Sequence, residues 1–169
     1  MAMTMDKILL LKEGTMIIGR LPYKSDLLRE LNKLAAKQKI KAGAVQVMGS
    51  LGRARLSFFD QKIRAYRELD FDSPHEIVAG NGTISLRNDD GVPSVHLHLA
   101  VADNEGKVVG GHCLEGCLVF AAEFVIWPFD GTAPRRVLDH DTGLLLWEQP
   151  LYSDDRQDAA VRPGLDSAD

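Results

Sequence analysis

The chain has 169 residues, of which 45% are hydrophobic and 26% are charged, and its formal net charge is −4. This composition is typical of a globular protein and excludes a disordered or membrane-embedded chain, since no apolar run reaches the roughly 18 residues of a membrane-spanning helix. The negative charge also argues against a surface that binds nucleic acid over its whole extent. No cleavage pattern follows the short apolar stretch near residue 10, so we expect a cytoplasmic protein.

The first elements predicted in chain order are two short strands and one helix. Residues 7–11 and 16–18 are apolar and rich in β-branched side chains, which favours strands. Ser25 and Asp26 then supply a helix cap ahead of leucines at the 3.6-residue period, which predicts a helix over 26–38. Its charged positions recur every four residues and indicate a solvated face.

From residue 43 onwards the pattern changes to short apolar runs separated by Gly, Asn and Asp. Strands at this density predict a largely antiparallel sheet that curls or closes, in an α+β protein. The segment 136–147 adds a possible short strand pair around an Asp-rich turn. The predicted strands are 44–48, 54–59, 63–66, 76–79, 83–86, 95–102, 107–109 and 118–127.

One domain is expected over residues 7–150, because this length buries enough apolar surface to fold without disulfides. Cys113 and Cys117 have neither a redox nor a zinc-ribbon spacing, so they are interpreted as buried free thiols. Residues 151–169 contain much Asp and almost no large apolar side chain, which predicts an acidic, disordered tail.

Three of the five histidines, His96, His98 and His112, fall within seventeen residues. Residues two apart on a strand point to the same face, so His96 and His98 present their imidazoles side by side. If residues 104–106 form a three-residue loop with Gly106 left-handed, Asp103 pairs with Lys107 and His98 faces His112. The three imidazoles then form a metal site with one position open. Zinc suits imidazole best, and nickel, copper and iron remain alternatives.

Other arrangements of these residues stay open at this point. A two-residue loop would place Leu97 opposite His112 and turn its imidazole to the other face. Two histidines on a polar sheet face with a third in a turn would also give this pattern without a metal. The glycines at 110 and 111 suit either a close approach of another backbone or a plain kink.

Two carboxylates, Glu76 and Glu123, are embedded in apolar runs. If buried, each needs a partner, such as Arg20 or an imidazole N–H that it would orient toward a metal. If the positions lie at an exposed edge, the carboxylates simply face water.

Several segments together resemble one family, the plant-and-prokaryote-conserved (PPC) domain, which occurs alone in bacteria and archaea and is joined to AT-hooks in plant nuclear proteins. They run in the family's order across about residues 7–147, and the histidine pair followed by Gly-Gly-His is the most specific. The matching pieces are Gly19-Arg20-Leu21, Asp26-Leu27, Gly43-Ala44-Val45 through Gly49-Ser50, His75-Glu76-Ile77 with Gly80 and Gly82, His96-Leu97-His98, Gly110-Gly111-His112-Cys113-Leu114 with Gly116, and Glu123-Phe124-Val125-Ile126.

The resemblance implies an α+β fold with a curved, mainly antiparallel sheet flanked by helices, assembled as a homotrimer. It also implies that the three histidines lie together near a subunit boundary and hold a metal. Two departures from the family's pattern bear on which partners the protein would bind. Residues 73–77 keep only the Glu and Ile of the plant members' partner-binding stretch, and no Arg-Gly-Arg-Pro AT-hook is present. Residues 52–55 contain two arginines but are interpreted as a strand edge.

The favoured hypothesis is a homotrimeric metal-binding module that acts through small-molecule or protein contacts. A metal-dependent enzyme is the first alternative, in which Glu115 or Glu123 would act as general base toward a metal-bound water. A transcription-associated DNA-binding protein is the second alternative, although the basic residues are scattered rather than arranged in a stripe.

Overall fold

The computed structural model describes residues 8–10, 16–131 and 133–148, so the predicted tail over 151–169 lies outside the described residues. Within these ranges the chain forms one helix and ten strands. None of the described segments is a helix of membrane-spanning length and apolarity. The elements are β1 (Ile8–Leu10), β2 (Ile17–Leu21), α1 (Leu27–Lys37), β3 (Gly43–Asp60), β4 (Ala65–Phe71), β5 (His75–Leu86), β6 (Pro93–Ala102), β7 (Val108–Cys113), β8 (Leu118–Pro128), β9 (Arg136–Leu138) and β10 (Leu145–Trp147).

Eight strands form one antiparallel sheet in the order β1-β2-β8-β3-β5-β6-β7, with β4 added on β3. The far end of β3 also pairs with β7, so β3, β5, β6 and β7 close into a ring. The remaining strands, β9 and β10, form a separate hairpin. The predicted curved, mainly antiparallel sheet is confirmed, whereas the described residues contain one helix where several were expected.

The helix begins where the sequence predicts. Asp26 caps α1, and its carboxylate accepts a hydrogen bond from the backbone N–H of Arg29 at 2.9 Å. The apolar side, including Leu27, Leu31 and Leu34, is fully buried. On β6, the backbone N–H of Val95 donates to the Asn32 side-chain oxygen at 2.8 Å, which ties the helix to the strand that carries two histidines.

Strand β3 differs from the sequence prediction at two boundaries. It is one strand of 18 residues, where the sequence predicts two strands over 44–48 and 54–59. Gly49 has φ +128° and a Cβ there would lie 2.1 Å from the carbonyl oxygen of Ala121. Glycine therefore allows the strand to bulge and continue instead of breaking it.

Other boundaries differ for local reasons. The strand predicted over 63–66 begins at Ala65, because the Asp60 carboxylate accepts hydrogen bonds from the backbone N–H groups of Lys62 and Ile63 and makes a turn there. The strands predicted over 76–79 and 83–86 are joined in β5, and the pair predicted over 136–147 is the β9–β10 hairpin.

Candidate metal centre

The turn between β6 and β7 sets the position of His112. The backbone N–H of Asp103 donates to the carbonyl of Lys107 at 3.1 Å, and Gly106 is left-handed with φ +78°. The Asp103 carboxylate also accepts hydrogen bonds from the N–H groups of Glu105 and Lys107, both at 2.9 Å. The predicted three-residue loop is confirmed, and His98 lies directly opposite His112.

The three imidazoles form a compact cluster on one face of the sheet. One potential ligand atom from each ring lies within 4.8 Å of the others. The ring centroids are 4.8 Å apart for His96 and His112, 5.0 Å for His96 and His98, and 5.5 Å for His98 and His112. The two-residue loop and the separated arrangement are thereby excluded, while the role of the cluster as a metal site stays a prediction.

Burial lowers the pKa of two of these rings. It lowers the pKa of His96 to about 4, with further contributions from the Arg136 guanidinium and from the other two imidazoles. Burial also lowers the pKa of His112, helped by His98 and Arg136. The Nδ1 atom of His112 and the Oγ of neighbouring Ser57 are both buried without a hydrogen-bond partner among the described residues. Neutral imidazoles with free lone pairs are the form that a transition metal binds.

The glycines before His112 are required by close backbone contacts. A Cβ on Gly111 would lie 2.6 Å from the carbonyl oxygen of Ser57, and one on Gly110 would lie 2.9 Å from that of Leu99. Of the two interpretations of this pair, the close approach of another backbone is confirmed. Their small size lets β7 pair with both β6 and β3, which holds His112 in the cluster.

Arg136 on β9 is the site residue that the sequence analysis missed. Its Nη2 lies 2.9 Å from His96 Nδ1, its Nε donates to Ser85 Oγ at 3.1 Å, and its Nη1 donates to the Leu145 carbonyl at 2.9 Å. Burial lowers its pKa, and no carboxylate within the described ranges forms an ion pair with it. No local signal identifies it, because only the tertiary fold brings the β9–β10 hairpin over β6.

A cavity of about 810 Å³ opens over the cluster. Its polar part holds the three histidines and Arg136, and its rim carries large apolar side chains, several of them exposed. Those bordering it include Phe58, Tyr66, Leu145 and Leu146. No Asp or Glu belongs to the part of this lining that the structure describes.

The carboxylates that the sequence analysis singled out lie elsewhere. Arg20 and Glu123 face each other on β2 and β8 and line a separate cavity of about 460 Å³. Glu76 is exposed on β5, opposite Ser50 and Ala102. Glu115 is exposed and forms an ion pair with Arg29 at 2.6 Å. The structure thus brings the three histidines together and does not bring these four residues to them.

Both cysteines are buried and free, as predicted. The Sγ atoms of Cys113 and Cys117 lie 3.7 Å apart, and Cys117 Sγ donates to the Arg55 carbonyl at 3.2 Å. These contacts hold the loop between β7 and β8 against β3.

The two arginines of residues 52–55 are paired with acidic side chains of β4 and the turn after it. Arg53 contacts Asp70 at 2.8 Å and Asp72 at 2.9 Å, and Arg55 contacts Glu68. Their charge is therefore compensated locally. The stretch lies inside β3 and pairs with β4 and β8, so it belongs to a strand but not to the strand edge that the sequence predicts.

Comparison with known proteins places the chain in a family. A family model described as the Plants and Prokaryotes Conserved (PCC) domain matches residues 11–130. Two proteins named Bifunctional protein GlmU, from Synechococcus sp. strains JA-3-3Ab and JA-2-3B'a(2-13), are 40% identical over 103 residues and 38% identical over 132 residues. The matches cover 60% and 76% of this chain but 15% and 19% of those proteins. The chain thus spans less than a fifth of the length of these relatives.

Solved structures show the same fold. A metal-containing protein from Archaeoglobus fulgidus is 30% identical, with a TM-score of 0.75 over 87% of this chain and 100% of that one. A plant- and prokaryote-conserved (PPC) protein from Pyrococcus horikoshii is 28% identical, with a TM-score of 0.73 over 87% and 98% of the two chains. A "putative DNA binding protein" from Bacteroides thetaiotaomicron is 25% identical, with a TM-score of 0.74 over 83% and 96%. The chain belongs to the Plants and Prokaryotes Conserved domain family, the PPC family that its histidine and glycine motifs resemble.

Proposed function

We propose that this protein is a metal-binding module in which His96, His98 and His112 hold one divalent transition metal, with zinc as the first candidate. The observation that carries the proposal is the convergence of three imidazole nitrogens within 4.8 Å. Two of the rings have a lowered pKa, which favours the neutral imidazole with one unprotonated nitrogen per ring. Three imidazoles with an open fourth position form a recognised zinc ligand set. The name of the Archaeoglobus fulgidus relative, a metal-containing protein, agrees with it.

A binding role is favoured over catalysis by the composition of the cavity. A metal-bound water needs a general base within hydrogen-bond reach. Glu115 and Glu123 lie away from the histidines, and the described lining contains no carboxylate. The cavity instead combines a metal-binding face with a cation and apolar walls, which suits a small-molecule ligand.

The module is proposed to assemble as a homotrimer through the outer face of the sheet. Met48 on β3 lies opposite the β5 bulge at Val78, and their exposed fractions are 52% and 59%. Phe120 on β8 is 60% exposed. Large apolar side chains exposed on a sheet are typical of a protein–protein interface.

Metal analysis of the purified protein tests the metal site. Wild type is expected to hold about one equivalent of metal per chain, and the double variant H96A/H98A is expected to lose it. The matched control is H140A, because His140 is exposed in the β9–β10 turn and outside the cluster. Equal metal content in wild type and the double variant, with circular dichroism showing both folded, would contradict the site.

Light scattering after size-exclusion chromatography tests the assembly separately. We expect a mass three times the 18.6 kDa of one chain. The variant M48D is expected to lower that mass, since a charge cannot be buried there without a partner. K37D, on the exposed face of α1, is the control. A monomer mass for wild type would remove the trimer and leave the metal proposal standing.

A further inference from the structure

The hydrogen bond between Arg136 and His96 must break before His96 can bind a metal. A guanidinium only donates hydrogen bonds, so His96 Nδ1, 2.9 Å from Arg136 Nη2, accepts with its lone pair. The neutral ring then carries its proton on Nε2. In this state neither nitrogen of His96 offers a free lone pair to a metal.

Metal binding through either ring nitrogen of His96 would therefore break this hydrogen bond. Coordination through Nδ1 displaces the guanidinium. Coordination through Nε2 moves the ring proton to Nδ1, where it faces Arg136, a second donor. A histidine that binds a metal normally gives its other N–H to a carboxylate, a carbonyl or water. The described residues place Arg136 at that position instead.

The result is a half-buried guanidinium that has lost an acceptor and lies beside a divalent cation. Its other two contacts, with Ser85 and the Leu145 carbonyl, are neutral. No carboxylate of the described residues lines the cavity to balance the charge. An anion placed there would accept hydrogen bonds from Arg136 and offset both positive charges.

The walls of the cavity indicate which kind of group would be attached to such an anion. Tyr66, Phe58 and Leu145 border it and are more than half exposed, which leaves apolar surface for a ligand to cover. Tyr66 also lies beside the cluster, with its ring centroid 6.0 Å from that of His112. A flat apolar group attached to the anion would contact both the metal face and this wall.

We propose that the metal-loaded protein binds a small organic carboxylate with a flat apolar body, its carboxylate held by Arg136 beside the metal and its body against Tyr66 and the β10 leucines. This inference rests on the proposed metal site. Because the metal frees Arg136 and the carboxylate stabilises the freed state, each ligand strengthens the binding of the other by the same factor.

Isothermal titration calorimetry with benzoate as the probe tests the proposal. Benzoate is titrated into zinc-loaded and chelator-treated protein, with benzamide as the neutral control of the same shape and acetate as the control without an apolar body. We expect zinc to tighten benzoate binding by about tenfold or more, and saturating benzoate to tighten zinc binding equally. Benzamide and acetate are expected to bind at least about tenfold more weakly than benzoate.

Two variants test whether benzoate is bound by Arg136 or coordinates the metal directly. R136Q is expected to bind zinc at least as tightly as wild type, because no guanidinium contact at His96 has to be broken, and to lose the benzoate effect. R136K is expected to restore part of that effect. R135Q is the matched control, because Arg135 bonds to the carbonyls of Arg87 and Asn88 and does not reach His96. Equal benzoate affinity in wild type and R136Q would overturn the proposal, as would equal affinity for benzoate and benzamide. Zinc binding without benzoate binding would overturn this inference alone, whereas failure to bind any transition metal would overturn the metal site and this inference together.

Discussion

His98 and His112 face each other across the antiparallel pair of β6 and β7, and the three residues between Asp103 and Lys107 put them there. Because side chains alternate between the two faces of a strand, a register change of one residue would move His112 to the opposite face. The geometry of the metal centre is thus controlled by a turn that lies outside it.

The first prediction concerns the left-handed residue of this turn. G106A is expected to lower the free energy of unfolding by about 1 kcal/mol, because an alanine strains at φ +78°. A Cβ at this position meets open space, so the cost is one of backbone conformation only. Urea denaturation of the metal-free protein measures it. G52A is the control, at an exposed strand position whose nearest neighbour to a Cβ is 4.0 Å away; equal effects of the two variants would count against the turn.

The second prediction concerns the glycine beside His112. In G111A the new Cβ would lie 2.6 Å from the Ser57 carbonyl oxygen, so β7 must move away from β3. We expect a loss of about 1–3 kcal/mol in the free energy of unfolding, as for overpacking in a core. We also expect weaker zinc binding, because the displaced strand carries His112.

Comparison with G106A separates the two effects. Both glycine variants destabilise the fold, but only G111A alters a strand contact next to a cluster histidine. A fluorescent chelator competition at a temperature where both are folded measures zinc affinity. If the two variants bind zinc equally, the contact between Gly111 and Ser57 does not position His112.

The parts of the site that could be predicted from the sequence are those determined by local chemistry. The side-chain alternation of a strand brings His96 and His98 together, and an Asp and a Gly at fixed positions define the turn that adds His112. The helix cap at Asp26 is likewise local. Each depends on residues close in sequence, where hydrogen bonds and backbone preferences decide the conformation.

The parts that could not be predicted depend on contacts between distant segments. Gly49 follows the end of a predicted strand, and only the close packing of β8 against it shows why β3 continues through this residue. Strand β4 is largely exposed and is held on β3 in part by ion pairs from Arg53 and Arg55. Arg136 has no motif around it, and its role follows from a hairpin that folds back across β6 from forty residues further along the chain.

The third prediction concerns the stability of the metal-free protein in acid. The pKa of His96 is about 4 in the folded state and near 6.5 in an unfolded chain. Between these values the unfolded state binds more protons, so the free energy of unfolding falls as the pH falls from about 6.5 to 4. We expect His96 to account for about 1–2 kcal/mol of that loss, less than full linkage gives because the ring is partly exposed to solvent.

Denaturation midpoints at pH 7.5 and pH 5 measure this dependence. In H96Q the loss between the two values is expected to be smaller than in wild type, because the residue no longer titrates. H140Q, in the exposed β9–β10 turn, is expected to behave as wild type. A loss in H96Q as large as in wild type would show that other groups are responsible.

The fourth prediction concerns DNA, the ligand suggested by the name of the Bacteroides thetaiotaomicron relative. Arg53 and Arg55 are paired with Glu68, Asp70 and Asp72, and the whole chain has a net charge of −4. We expect no mobility shift of random duplex DNA by micromolar protein at physiological salt. Phosphate contacts by free Lys and Arg supply most non-specific affinity, which is about 10⁻⁴–10⁻⁶ M for true binders.

A variant that removes the acidic partners of the two arginines tests whether charge pairing is what prevents DNA binding. E68Q/D70N/D72N removes three negative charges next to Arg53 and Arg55 and leaves the arginines in place. It is expected to bind DNA weakly at low salt and to lose that binding as salt rises, because counterion release drives the contact. The opposite result would be a salt-sensitive shift by the wild-type protein that is the same in this variant. Such a shift would mean that DNA binds to another surface of the molecule and that the ion pairs between β3 and β4 do not prevent DNA binding.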